Sequence, residues 1–219
     1  MRIGRIVLGL ATVLLLASCL VPGKFTAALD IRRDRSFTFT YVGEVYLVEN
    51  EASGPGGEKS EPTPAEAEAA RAKQEQERRE VVDALGKEQG FRAVRHLGGN
   101  RFAVDYATSG RLDHGFLFPF NSDAQAVFPW VAVELRKDGT ARMKAPGFGD
   151  EATAGPPLAG LGSGGTADLR DGTFTMTTDA EIVMHNLEEG VSPGPLKTLV
   201  WRVSPSIKTV PTAVIRFDR

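Results

Sequence analysis

The chain has 219 residues, with 26 basic and 28 acidic side chains and a net charge of −2. This near-neutral balance gives no electrostatic footprint for nucleic acid, and no polybasic segment stands ready for an anionic membrane surface. A single cysteine excludes an internal disulfide framework and any multi-cysteine zinc site.

Arg2 and Arg5 make a short positive start, and an apolar run follows from Ile6 to Ala17, interrupted by Gly9 and Thr12. The run is too short for a hydrocarbon core that needs about 20 residues, but it suits the roughly 7–15 residues of a secretory h-region. Leu16-Ala17-Ser18-Cys19 comes directly after it. This tetrapeptide resembles the lipobox of bacterial lipoproteins. Small residues let an extended backbone enter a peptidase cleft, and only a thiol forms the thioether to diacylglycerol. The resemblance implies cleavage after Ser18, acylation of Cys19 with palmitate-type chains, and a domain held to a membrane by that lipid outside the cytoplasm. Leu20, where Asp is absent, implies sorting to the outer membrane on its periplasmic side. An ordinary signal peptide with a chance cysteine, or a short membrane anchor, are the alternatives. Taking Arg2 and Arg5 from the 26 basic residues leaves 24 against 28 acidic ones, a mature net of −4.

Residues 19–24 read as a lipidated tether, because Pro22 and Gly23 oppose regular structure. Phe25–Arg32 alternates as a strand should, and Arg33–Ser36 turns it into a second strand rich in aromatic and β-branched residues, with Phe37, Phe39 and Tyr41 on one face. Residues 50–62 form a Gly/Pro/Glu-rich loop. Thr63 is placed as a helix N-cap, with Pro64 first in the helix and Glu66 three residues after the cap. The helix runs to about Lys87. Its early turns are charged without a wide apolar stripe, Glu75 and Arg79 form an i,i+4 pair, and Val81, Val82 and Leu85 offer core contacts. Phe91–His96 and Arg101–Ala107 make a second hairpin. Strands are expected at 115–119, 126–136 and 140–145, then at 173–187, 198–203 and 212–217. The resulting fold class is α+β, an antiparallel sheet of several hairpins with one principal helix. The signal occupies 1–18, the main domain 25–146, a Gly/Pro-rich connector 147–171, and a C-terminal β segment, 172–219, completes the sheet. Arg33–Val45 aligns without gaps on Arg170–Ile182, an echo that shared turn chemistry explains as well as duplication does.

Catalytic signals are sparse. Gly160–Gly165 matches G-x-G-x-x-G, but no strand precedes it and no helix follows, so a linker accounts for it better than a dinucleotide site. No nucleophile elbow exists, since Leu161 and Ala107 stand where Ser163 and Ser109 would need glycine. His96, His114 and His185 have no metal-ligand spacing, and neither a metal nor another cofactor is called for. Asp113 beside His114 would point to opposite faces of a strand. Asp179, Glu181 and His185 share parity on one strand and form the best acid–base or cation constellation, with a solvated strand face as the bland alternative.

The segment with most character is aromatic. Phe116, Phe118, Phe120, Phe128 and Trp130 place five of the chain's 17 aromatic residues within 15 positions. Such residues fill cores, but prolines among them sit poorly in a central strand, which keeps open a rim or pocket for a lipid or other hydrophobic ligand.

The lipobox, the long hairpin, the helix and the later hairpins together resemble the LppM-type lipoproteins of bacterial envelopes. The tail adds Glu181-Ile-Val-Met-His-Asn186 and Leu199-Val-Trp201-Arg-Val. The charged helix and the Gly-rich connector depart from that pattern. The resemblance covers about half of the mature chain and implies an α+β envelope domain without catalytic residues that binds a lipid or envelope component; it carries over no functional residue except Cys19. Three functions are thus in view: a non-enzymatic binding or assembly module built on the aromatic segment, a structural lipoprotein whose charged helix docks an envelope protein, and a hydrolase or metal-dependent enzyme centred on Asp179, Glu181 and His185.

Overall fold

The computed structural model describes residues 20–47, 63–119, 129–149 and 169–217. The expected signal, Cys19, the loop at 50–62, Phe120, Phe128 and the Gly160–Gly165 motif lie outside these residues. Strand β1 spans Leu20–Ile31 and β2 spans Ser36–Leu47. Phe25, Ala27, Leu29 and Ile31 are buried on β1, and Phe39, Tyr41, Val45 and Leu47 on β2, so one face of the hairpin is apolar. Their turn holds Arg35 at φ 70°, and the Asp34 carboxylate accepts from the Ser36 amide at 2.9 Å and its hydroxyl at 2.7 Å.

Residues Leu20–Lys24, expected as a tether, are instead the first residues of β1: Leu20 lies opposite Leu47 and Pro22 opposite Val45. Pro22 and Gly23 are tolerated because the register shifts between Pro22 and Phe25, where the ladder is already interrupted.

Helix α1 spans Pro64–Lys87, with Pro64 at its start and both halves of the capping box in place: the Thr63 hydroxyl accepts from the Glu66 amide, and the Glu66 carboxylate accepts from the Thr63 amide at 2.8 Å. It leads through Gly90, at φ 98°, into β3 (Phe91–Gly98), which pairs with β4 (Arg101–Arg111). The remaining strands are β5 (Phe116–Phe118), β6 (Val131–Leu135), β7 (Thr140–Lys144), β8 (Asp171–Thr178), β9 (Glu181–His185), β10 (Lys197–Val203) and β11 (Thr212–Arg216).

These strands form two sheets where the sequence suggested one. The first has the order β10-β8-β1-β2-β4-β3 and the second β5-β6-β7-β11-β9. The fold is α+β, mostly sheet with one principal helix. The first sheet is mixed, because β8 runs parallel to β1, with Lys24 opposite Asp171 and Ile31 opposite Thr178. The echo noted in the sequence thus falls on strands of opposite sense, since β2 flanks β1 antiparallel on its other side. The expected strand 173–187 breaks at Asp179–Ala180, and its halves belong to different sheets: β8 and β10 join the first, β9 and β11 the second.

The apolar faces of the two sheets meet in one buried cluster. The connector expected from residue 147 also begins inside it. Pro146–Phe148 forms a short 3-10 turn with Phe148 buried, and a side chain at Gly147 would meet the Trp130 backbone and ring at about 2.5 Å, so only glycine allows that approach.

Two poles result. At one lie the turns 32–35, 112–115, 136–139 and 179–180, tied together by the Arg33 amide donating to Asp179 at 2.6 Å and by Arg35 over the Phe217 ring at 5.4 Å. At the other stand Leu20, Leu47, Arg101, Asp171 and Val203, the ends of their strands.

Candidate functional site

The aromatic segment sits between the sheets. Phe116 is 9% exposed, Phe118 2% and Trp130 5%. Phe116 packs on Phe37 at 4.9 Å and on Phe39 at 5.3 Å. Phe118 meets Tyr106 at 4.6 Å, Phe39 at 4.7 Å and Trp130 edge-on at 5.6 Å. The contacts continue from Trp130 to Tyr41 at 5.3 Å, then through Phe25, Phe148 and Phe174 to Trp201. A continuous run of rings thus crosses the whole core from β5 to β10. Each such pair adds about 0.5–1.5 kcal/mol to what burial alone supplies. Two of the polar tips are hydrogen-bonded: the Tyr41 hydroxyl donates to the Glu44 carbonyl at 2.9 Å, and the Trp201 indole N–H to Asn186 at 3.2 Å. Burial, with the nearby Glu44 carboxylate second, pushes the Tyr41 phenol well above its ordinary range.

The Asp179, Glu181 and His185 row is taken apart by a bulge. Ala213 pairs with His185 and Val214 with Met184, but Ile215 pairs with Ile182, which leaves Val183 as the extra residue. His185 and Ile182 therefore share the inward face with the buried Ala213 and Ile215, while Glu181 faces outward and pairs with Arg216 at 3.0 Å. Asp179 is engaged by Arg33 at the far pole. His185 Nδ1 is buried and has no hydrogen-bond partner among the described residues. His96 bonds the Gly99 carbonyl oxygen at 2.8 Å, and Asp113, beside exposed His114, pairs with Arg111. Among the described residues no three His, Cys, Asp or Glu side chains converge as metal ligands.

Helix α1 touches the body only near its end. Arg78 and Val81 are buried, Val82 and Leu85 partly so, and residues 64–77 are exposed apart from half-buried Ala67. Arg78 donates to the side-chain oxygen of Asn100 in the β3–β4 turn. A second buried cation, Arg170, donates to the Gly149 carbonyl. Sequence reasoning missed both cations and Phe148. Arg78 does lie on the stripe 78, 81, 85, and Phe148 is a lone ring between two glycines.

No helix among the described residues is long and apolar enough to cross a membrane. No family model matches the chain, and no curated protein matches it. Among solved structures it is similar to the folded domain of the Mycobacterium tuberculosis LppM protein, determined by NMR, over 94% of each chain at 14% identity and a TM-score of 0.39.

Proposed function

We propose that the chain is a non-enzymatic envelope lipoprotein, acylated at Cys19 and held by that lipid on the periplasmic side of the outer membrane, where its sandwich binds a hydrophobic ligand or assists envelope assembly. The observation that carries the reading is where the cysteine stands in sequence relative to the first strand. The chain's one cysteine immediately precedes Leu20, already paired in β1. A lipid on that thiol would therefore be joined to the sheet itself, with no flexible spacer between. Support for a non-catalytic role comes from Asp179, Glu181 and His185, each directed elsewhere by the Val183 bulge and the Arg33 and Arg216 pairings.

The ligand reading rests on Phe118 and Trp130, where the second sheet ends toward the Leu20 pole. Their rings already fill each other's space, so a hydrophobic ligand would enter by parting them. Native mass spectrometry on protein released from membranes tests this. A bound mass lost on denaturation and weakened by Trp130→Phe supports it, and a clean apo mass across preparations removes it.

A further inference from the structure

We propose that the pole carrying Leu20 faces the bilayer and that the exposed half of α1 lies along the headgroups, leaving the sandwich inclined; this rests on acylation at Cys19. Strand β3 runs from Phe91, opposite Tyr106, to Gly98, opposite Arg101, so the β3–β4 turn lies at the Leu20 pole. Helix α1 enters β3 through Gly90, packs against it, and reaches Asn100 in that turn through Arg78. It therefore runs back along β3 toward that pole, with residues 64–77, exposed apart from half-buried Ala67, on the pole side of Arg78. Fourteen residues at about 1.5 Å each make a length of roughly 20 Å.

In sequence Cys19 is the neighbour of Leu20, the first residue of β1, and one residue of chain spans at most about 3.6 Å. With its acyl chains in the bilayer, an upright sandwich would drive the projecting helix through a headgroup layer only about 5–8 Å deep and into hydrocarbon. Residues 64–77 carry Glu66, Glu68, Arg71, Lys73, Glu75 and Glu77, which hydrocarbon excludes. The body must lean until the helix lies in the aqueous headgroup zone. Two exposed apolar side chains, Leu97 and Ile207, and the exposed cations Lys24, Arg202 and Lys208 stand at the same pole, suited to that boundary.

Energy transfer on the full acylated protein in phosphatidylcholine vesicles tests the orientation. Acylation blocks Cys19, so a fluorophore goes to a single new thiol, either Ala69→Cys on the projecting helix or Lys137→Cys at the far pole, with acceptors on lipid headgroups. The expected transfer is several-fold stronger from position 69. Equal or reversed transfer from protein that floats with the vesicles overturns the orientation and leaves the lipoprotein reading standing. Protein that neither floats nor carries acyl mass overturns both. Weak transfer at position 69 in vesicles, with residues 64–77 protected only in native membranes, overturns it in favour of an envelope protein docked on the helix.

Discussion

Arg78 on α1 donates to the side-chain oxygen of Asn100 in the β3–β4 turn, and this contact sets the level at which the helix leaves the body. Hydrogen bonds to charged groups contribute about 1.5–3 kcal/mol. Arg78→Leu should therefore release the helix while the sheets keep their structure. Hydrogen exchange checks this: amides of 64–87 should exchange faster by one to two orders of magnitude, and those of β1 and β2 should not change. Uniform acceleration would mean that α1 is integral to the sandwich.

Trp130 and Phe118 belong to the run of rings between the sheets, so truncation removes packing on several sides. Trp130→Ala should lower stability by about 3–5 kcal/mol, against less than about 0.5 kcal/mol for Val200→Ala on the exposed outer face. Urea midpoints measure both. A small loss at Trp130 would place its ring at a yielding surface and strengthen the ligand reading.

Much of this was legible locally. Thr63, Pro64 and Glu66 mark the helix start because a cap is built from neighbouring residues. The β1–β2 hairpin shows in alternation around a polar turn. Alternation reports that a strand has one buried face, but not which sheet it joins, so the parallel pairing of β8 with β1 and the crossing at Asp179–Ala180 were invisible. The bulge at Val183 was hidden for a related reason: parity holds only while the ladder is regular, and that is decided by a partner strand, β11, distant in sequence. A guanidinium is usually solvated, and nothing near Arg78 in sequence marks it otherwise, because its partner Asn100 lies 22 residues on.

Alkaline pH should weaken the fold through Tyr41. Its phenol is held well above the ordinary value of about 10, by burial first and Glu44 second, and burial raises Tyr106 as well. The folded protein keeps these protons when the unfolded chain releases them. The contribution is full below pH ~10 and is lost as pH rises through the folded values. Urea midpoints should fall above pH ~10, and Tyr41→Phe should flatten much of that fall. A midpoint independent of pH to 11 would contradict the assignment.

On the acid side the sign reverses. The Thr63 hydroxyl and amide hold the Glu66 carboxyl below its usual range, as Ser36 does for Asp34 and Thr140 for Asp138. Their contribution is present above pH ~4 and disappears as pH falls through the lowered values. An NMR titration of the Thr63 amide should show a midpoint below the ordinary glutamate value of about 4.3, and Glu66→Gln should abolish that transition. A midpoint at the ordinary value would mean that the capping box is open in solution.

The most direct measurement is the mass of the N-terminal peptide from the membrane fraction of cells expressing the full chain, beside a Cys19→Ser variant. The expected peptide starts at Cys19 and carries diacylglycerol and fatty-acid mass, with the variant lost from the membrane fraction. A free Cys19 thiol, or residues 1–18 still attached to a membrane-bound chain, would contradict it.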